Sequence, residues 1–178
     1  MLSNWDKAFD HVIAHEGGFT NDQRDPGNHL PDGREGCTMW GCTQKNWEAY
    51  IGKQVTQEDM KALTKEDVKP LYKRDYWDVV NGDSLPSGVD YACFDFAINA
   101  GASRSKKTLQ TALGVTADGA IGPGTLAAIE AADGEELLKK FSEAKESFYR
   151  GLPTFSTYGK GWLKRVADVQ AVAITMVA

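Results

Sequence analysis

One stretch of the sequence, residues 89–100, is apolar on almost every side of a helix. It contains Tyr, Phe, Ile, Val, Cys and Ala side chains with few polar interruptions. A helix that is apolar all round has to be buried all round, so we predict that this stretch is the buried central helix of a globular domain. Asp95 inside it is predicted to be a satisfied buried carboxylate that pairs with an Arg or holds a helix terminus, and not a catalytic group.

The apolar residues elsewhere recur in steps of three and four, which is the period of an amphipathic helix. The pattern marks segments at residues 4–15, 137–148 and 162–176. No strand-like alternation of useful length follows Thr43. We therefore predict a mainly α fold with a small irregular or β-hairpin segment after the first helix, and a short hairpin around Phe19 to Asn21.

Turn and capping residues divide the chain into elements. Helix caps are predicted at Ser3, Thr43, Thr56 and Thr64. Pro70 lies too far inside its helix to be a start signal, so a kink is expected there. The loop at residues 81–88 is rich in Gly, Pro, Asn and Asp and is the best boundary. We predict a catalytic half at residues 1–85 and a helical half at residues 86–178, packed as one globular unit.

Length and charge restrict the class of protein. A chain of 178 residues can bury a core of its own, and its net charge of −5 argues against a nucleic-acid partner, which needs a basic face. Its three cysteines fit neither a disulfide framework nor a common zinc spacing. No signal peptide and no apolar run of membrane-spanning length are present, so we expect no stable membrane insertion.

Glu16 lies where an apolar helix stripe meets two glycines. Trp5, Phe9 and Val12 mark the stripe, and Glu16 comes four residues after Val12, so it falls on the face that packs on the core. The glycines that follow allow the helix to stop and the backbone to turn. Partial burial raises the pKa of a Glu, which is what a general acid near neutral pH needs.

A second acid, Asp25, follows nine positions later among polar and turn-forming residues, where it should stay ionised. Two carboxyl groups in unlike environments form the pair that cleaves glycosidic bonds. One protonates the leaving oxygen, while the other stabilises the oxocarbenium-like centre or directs a water. Thr38 offers a hydroxyl that can hold a water or the sugar. We predict Glu16, Asp25 and Thr38 as the catalytic residues, with no metal and no cofactor.

Four motifs follow one another in this region. They are Glu-Gly-Gly-Phe at 16–19, Asn-Asp at 21–22, Asp-Pro-Gly at 25–27 and Gly-Cys-Thr-Met-Trp-Gly-Cys-Thr at 36–43. Together they resemble the opening signature of glycoside hydrolase family 108, the N-acetylmuramidase endolysins of phages and their bacterial relatives. The resemblance implies a lysozyme-like helical domain in which Glu16 is the catalytic glutamate. It also implies hydrolysis of the β-1,4 bond between N-acetylmuramic acid and N-acetylglucosamine in peptidoglycan.

The segment Asp-Gly-Ala-Ile-Gly-Pro-Gly-Thr at 118–125 looks like a turn found in peptidoglycan-binding repeats and in the C-terminal half of the same family. Gly119 and Gly122 admit unusual dihedral angles, and Pro123 suits the first position of a helix. A turn that only joins two helices needs the same residues. Wall binding and simple connection therefore both remain open for this segment.

Three further side chains are predicted to contact the substrate. Trp40 lies in the motif at 36–43, and Asn99 lies near the end of the buried helix just before a glycine. Trp162 ends an aromatic and glycine-rich segment at 155–162 that is expected between two helices. Its rings can stack on sugars or anchor the core.

Three alternatives to a muramidase remain. A lytic transglycosylase needs only one acid and leaves an anhydro sugar, and the presence of Asp25 favours hydrolysis instead. His11 and His15 are spaced to bind zinc on a helix, as in peptidases, but their order does not fit His-Glu-x-x-His, and the third ligand would have to be His29, a carboxylate or a thiol. A non-catalytic wall-binding module would rest on the turn at 118–125 alone.

The resemblance also implies the partners and the location of the chain. Its partner is expected to be the glycan strands of peptidoglycan, and the chain is expected to be a monomer. A phage enzyme of this kind would stay in the host cytoplasm until a separate holin releases it, and would then act in the periplasm or cell wall.

Overall fold

The computed structural model describes residues 4–177, so the predicted Ser3 cap lies outside the described residues. The helices are α1 (Trp5–His15), α2 (Gln44–Ile51), α3 (Gln57–Lys61), α4 (Lys65–Tyr72), α5 (Val89–Ala100), α6 (Ala102–Leu113), α7 (Pro123–Ala131), α8 (Gly134–Arg150) and α9 (Phe155–Ile174). Strands β1 (Thr38–Met39) and β2 (Cys42–Thr43) form an antiparallel pair. The fold is mainly α with a small hairpin after the first helix, as predicted.

The chain divides into two compact units. We call residues 9–75 the hairpin unit, and residues 4–8 with 76–177 the helical unit. The division into halves at residues 85 and 86 stays a prediction. No helix among residues 4–177 is both long enough and apolar enough to cross a membrane.

The helices of the hairpin unit begin where the sequence predicts. The side chain of Thr43 accepts a hydrogen bond from the backbone N–H of Asn46 at the start of α2, and Gly52 ends that helix with a φ of 72°. Thr56 and Thr64 form complete capping boxes, each with the Asp three residues later. These caps satisfy backbone N–H groups that a helix leaves unpaired in its first turn.

The hairpin lies at a different place from the one predicted. Thr38 pairs with Thr43 and Met39 pairs with Cys42, which leaves a two-residue turn between them. Thr20 instead joins the hairpin through a single antiparallel bridge to Thr38. The segment around Phe19 to Asn21 therefore runs beside β1 and does not fold back on itself.

Pro70 has no N–H to donate to the preceding turn of its helix, and the kink expected there stays a prediction. Pro70 lies inside α4. Directly after α4 the backbone takes the wider π-helical form over Lys73–Trp77. Such π turns are rare, and they often occur near functional sites.

The helical unit is organised around α5, as predicted. Nine of the twelve residues of α5 are buried, from Val89 through Ala97, and α5 contacts α6, α8 and α9. The ring of Phe96 meets those of Phe141, Phe148 and Tyr149 in edge-on geometry at centroid distances of 6.0, 5.7 and 5.8 Å. Edge-on contacts of this kind favour one relative orientation of the rings and stabilise the core beyond the burial of apolar area.

Asp95 is a satisfied buried carboxylate, as predicted, with two cations as partners. Its Oδ2 lies 3.2 Å from Nζ of Lys145, and its Oδ1 accepts hydrogen bonds from Nε and Nη2 of Arg165 at 3.0 and 2.8 Å. Asp95 is 1% exposed and the side chain of Lys145 is 2% exposed. Burial lowers the pKa of Lys145, although the charge of Asp95 opposes that shift.

Two helices begin earlier than predicted. The spacing of Leu109, Ala112 and Leu113 predicts only a short helix that ends at Gly114, but α6 already starts at Ala102. The segment at 155–162 was expected between helices, and it forms the first turns of α9. Gly159 is the reason for the second error: glycine disfavours helices, but here a β-carbon on it would lie 2.5 Å from the ring of Phe155. The close approach of that ring needs a glycine inside the helix.

Candidate active site in the hairpin unit

Glu16 follows the last residue of α1. Its backbone N–H donates to the carbonyl of Ile13 at 3.2 Å. Phe9, Val12 and Ile13 on the same helix are 1%, 0% and 2% exposed, whereas Glu16 is half-buried. The apolar stripe therefore ends in a carboxylate that keeps some access to solvent.

The carboxylate of Glu16 lies against the hairpin turn. A β-carbon built on Gly41 would lie 2.5 Å from Oε2 of Glu16 and 2.6 Å from the hydroxyl oxygen of Tyr72. Both distances are shorter than side chains tolerate, so only a glycine lets these two oxygens approach the turn. The hydroxyl of Tyr72 donates to the backbone carbonyl of Trp40 at 2.8 Å, and Tyr72 itself is buried.

Trp40 holds an unfavourable backbone conformation. Trp40 and Gly41 have φ values of 52° and 72°, and two central residues with positive φ are what a tight type I′ hairpin turn requires. Asn or Asp usually takes the first of these positions, and a bulky residue there is strained. Strain of this kind costs on the order of 1–3 kcal/mol and clusters at functional sites.

Tertiary contacts hold Trp40 in place. Its indole N–H donates to the carbonyl of Leu63 at 2.8 Å, and its own carbonyl accepts from Tyr72. The ammonium group of Lys65 lies 5.2 Å from the centre of its ring. Contacts with α4 and with Leu63, which lies just before α4, therefore hold the turn beside Glu16 in place.

Thr38 and Asn28 connect the hairpin to the polar loop. The hydroxyl of Thr38 donates to Oδ1 of Asn28 at 2.8 Å, and Nδ2 of Asn28 donates to the carbonyl of Asp22 at 2.9 Å. Asn28 is fully buried. Hydrogen bonds from Arg24 lower the pKa of the Asp22 carboxyl to about 2. Asp22 thus belongs to the framework of the loop.

Asp25 begins the short turn Pro26–Asn28. Its Oδ1 accepts from the backbone N–H of Gly27 at 2.8 Å, and its side chain is exposed. A β-carbon on Gly27 would lie 3.2 Å from Oδ1 of Asp25 and 3.2 Å from Cγ2 of Thr43, so the carboxylate lies near the end of β2. Within residues 4–177, Oδ2 of Asp25 accepts no hydrogen bond from the protein.

The hairpin unit therefore brings four of the predicted residues to one hairpin. Glu16 lies at its turn, Trp40 in the turn itself, Thr38 in β1 and Asp25 near the end of β2. Asn99 and Trp162 belong to the helical unit. Asn99 is exposed, and its Nδ2 donates to the carbonyl of Asp95 at 2.7 Å.

Trp162 belongs to an aromatic cluster within α8 and α9. It stacks on Tyr149 at 5.1 Å and 27°, and the ring of Tyr158 follows at 5.7 Å. Trp162 is half-buried, whereas Tyr158 is 57% exposed. The cluster anchors the start of α9 and also presents one ring to solvent.

The turn at 118–125 is built around the buried side chain of Gln110. Its Nε2 donates to Oδ1 of Asp118, to the carbonyl of Ala120 and to the hydroxyl of Thr125, at 2.8, 3.0 and 3.2 Å. Its Oε1 accepts from the N–H of Gly119 at 2.7 Å. The polar groups of this turn therefore have internal partners, which gives the segment a structural role whether or not it contacts the wall.

Comparison with known proteins identifies the family. A model for glycosyl hydrolase 108 matches residues 9–101, more than half of the chain. The chain belongs to glycosyl hydrolase family 108. A second model, described as a predicted peptidoglycan domain, matches residues 104–167 of this family 108 chain. No curated protein sequence matches it.

One similar solved structure supports the fold assignment. The structure titled SagA of Brucella abortus is 39% identical, with a TM-score of 0.82, and the alignment covers 97% of the family 108 chain and 95% of that chain. The predicted lysozyme-like, mainly α fold is confirmed. The family 108 chain is a glycoside hydrolase with a muramidase-like action on peptidoglycan.

The zinc alternative requires a set of three metal ligands. Across residues 4–177, no three His, Cys, Asp or Glu side chains converge to hold a metal ion. Cys37 and Cys42 are buried free thiols, and burial raises the pKa values of these thiols to about 11 and about 12. Neutral thiols are poor metal ligands.

The sequence did not point to three residues that contact the candidate site. Gly41 and Asn28 lie in or beside the recognised motifs, whereas Tyr72 falls on the apolar face that the helical spacing of Val68, Leu71 and Tyr72 predicts. Glycine is a strong signal for a turn, and Gly41 between Thr-Met-Trp and Cys-Thr could have drawn attention to the hairpin turn. Nothing local to Tyr72 predicts that its hydroxyl reaches a carbonyl 32 residues away.

Proposed function

We propose that the chain hydrolyses the β-1,4 bond between N-acetylmuramic acid and N-acetylglucosamine, with Glu16 as the general acid. One observation carries the proposal: the half-buried carboxylate of Glu16 lies against a strained turn that tertiary contacts hold in place. A fixed acid beside a rigid backbone is pre-organised to protonate a leaving oxygen. Membership of glycosyl hydrolase family 108 supports the same reaction class.

Asp25 is proposed to act as the second carboxylate of the pair, by stabilising the oxocarbenium-like centre or by directing a water. Its exposed position and its Oδ2, which is available to a ligand, support this role. The hydroxyl of Thr38 donates to Asn28, so its oxygen lone pairs can accept a hydrogen bond from a water or a sugar hydroxyl.

We propose Trp40, Asn99 and Trp162 as substrate contacts. Trp40 is half-buried, so part of its ring is available to stack on a sugar. Asn99 is exposed, and its Oδ1 can accept a hydrogen bond from a sugar hydroxyl because the amide nitrogen already donates to a backbone carbonyl. Trp162 lies within the segment that matches the peptidoglycan domain.

The resemblance to phage endolysins supports a biological role as well. In that role the chain is a monomer that stays in the host cytoplasm until a separate holin releases it to the periplasm or wall. Lysis of host cells that depends on co-expression of a holin would test the role, and lysis without one would contradict it.

The function can be tested with the substitution Glu16→Gln on purified peptidoglycan. An amide of the same shape cannot donate a proton as an acid, so we expect the rate to fall by about 1,000-fold or more while the thermal midpoint stays unchanged. Glu35→Gln is the matched control, because Glu35 is an exposed glutamate of the same unit. Mass analysis of the new sugar ends then identifies the reaction.

The outcomes separate the alternatives. New reducing N-acetylmuramic acid ends support the proposal, whereas products lighter by one water indicate a transglycosylase. Released peptides would indicate a peptidase, especially if a chelator abolished the activity. Binding without any cleavage by the wild type would leave only a wall-binding module.

A further inference from the structure

Two lysines place their ammonium groups over aromatic rings close to the candidate site. The ammonium group of Lys61 lies 4.9 Å from the ring centre of Phe19, and that of Lys65 lies 5.2 Å from the ring centre of Trp40. Both lysines and both rings belong to the hairpin unit. Phe19 follows Glu16 by three residues, and Trp40 forms the turn that the carboxylate of Glu16 contacts.

Most carboxylates on the same helices already have partners. Asp59 and Asp67 accept hydrogen bonds within their capping boxes, which lowers the pKa of each. Glu58 pairs with Lys61 at 2.5 Å, but both side chains are exposed, and an exposed pair of this kind exchanges partners easily. Lys65 is exposed, and the described part of the chain places no carboxylate within 4 Å of its ammonium group.

The ring of Trp40 also restricts the position of the Lys65 ammonium group. A cation is attracted to the face of an indole ring, and Trp40 is itself fixed by its hydrogen bonds to Leu63 and Tyr72. A charged side chain that is ordered before binding loses less entropy when a ligand arrives. An uncompensated positive charge therefore stands at a defined place beside the turn, in a chain whose net charge is −5.

The bare glycan of an N-acetylated polysaccharide is neutral, whereas the peptide stems of peptidoglycan carry free carboxylates. We propose that Lys65, assisted by Lys61, binds a carboxylate of the peptide stem when the glycan strand lies at Glu16. This inference rests on the proposed function and goes further, since it makes the anionic stem a determinant of substrate choice. The site then selects charged wall polymer over neutral glycan.

The experiment compares native peptidoglycan with peptidoglycan whose carboxylates have been converted to amides by carbodiimide and ammonia. The two substrates have the same size and linkage and differ in stem charge. We expect the wild type to cleave the native polymer about fivefold faster per mole of glycan at low salt, and the preference to shrink as salt is added. Lys65→Gln should bring the ratio of the two rates close to one, and Lys65→Arg should restore it.

Lys45→Gln is the matched control, since Lys45 is an exposed lysine on α2 of the same unit, and it should keep the wild-type ratio. A ratio of one in the wild type, or an unchanged ratio in Lys65→Gln, would overturn the proposal. Sedimentation of the Glu16→Gln chain with each insoluble substrate adds a readout that needs no cleavage. If the wild type bound native peptidoglycan selectively but did not cleave it, the muramidase function would be refuted and the stem-binding site retained. If it cleaved both substrates equally well, the stem-binding site would be refuted and the muramidase function retained.

Discussion

Two acids that the sequence places on apolar helix faces, Glu16 and Asp95, are held in opposite ways. Asp95 in the helical unit is 1% exposed and contacts two cations, Lys145 and Arg165. Glu16 in the hairpin unit is half-buried and lies against a backbone turn. A carboxylate buried between cations has no route to a ligand, whereas a half-buried carboxylate beside a turn can be reached from solvent. Helical periodicity alone does not separate these two cases.

Removal of the charge of Asp95 is expected to have the largest effect on stability. Asp95→Asn leaves Lys145 and Arg165 without their buried partner, so the free energy of unfolding should fall by about 3–5 kcal/mol. Urea denaturation measures the loss. Glu16→Gln should change the same quantity by less than about 1 kcal/mol, since its side chain keeps its shape and its access to solvent. Equal losses in the two variants would mean that the two carboxylates contribute alike to stability.

Asp90, five residues before Asp95 on α5, shows what burial does to an acid whose hydrogen-bond donors are neutral. Its Oδ1 accepts from Nδ2 of Asn4 and from the N–H groups of Gly88 and Tyr91, at 3.1, 2.8 and 2.6 Å. Burial nevertheless raises its pKa to about 6. Neutral donors therefore do not offset the loss of hydration of the charged form.

The substitution Asp90→Asn tests this as a pH dependence. Because the folded-state pKa lies above the unfolded value, the protonated acid stabilises the fold below about pH 4, and that contribution is lost as the pH rises through about 6. An Asn keeps the three hydrogen bonds to Oδ1 and never ionises. The variant should therefore gain about 2–3 kcal/mol over the wild type between pH 4 and pH 7.5. A difference that stays flat with pH would contradict the shifted pKa.

The sequence was most informative where the structural signal is local. Thr56 and Thr64 cap their helices through contacts with the third residue that follows, and the apolar run of α5 requires burial wherever it lies. The first turns of α9, from Phe155, were not predicted because Gly159 lowers helix propensity, whereas in the structure Gly159 leaves room for the ring of Phe155 one turn earlier. Tertiary packing overrode the local preference there.

The candidate site likewise combines residues that local sequence motifs predict with contacts that depend on the tertiary fold. The motifs that contain Glu16, Asp25 and Thr38 were visible in the sequence, and their roles stay predictions. The contact of Tyr72 with the turn depends on how α4 approaches the hairpin, which no spacing in the sequence encodes. Trp40 also shows a limit of turn rules, because a bulky residue at positive φ is held there by distant partners.

The substitution Gly41→Ala acts on Glu16 through the turn, and its effect is expected in kcat more than in stability. Gly41 and Gly52 have the same φ of 72°, so the backbone strain of an Ala should cost about 1 kcal/mol of stability at either position. Only at Gly41 would the new β-carbon meet Oε2 of Glu16 and the hydroxyl of Tyr72, whereas Gly52 has nothing within 4 Å. We therefore expect kcat to fall by about 10- to 100-fold in Gly41→Ala and to stay near the wild-type value in Gly52→Ala, because a misplaced acid loses its geometry with the leaving oxygen. Equal activity in the two variants would mean that the contact between turn and carboxylate does not control the chemistry.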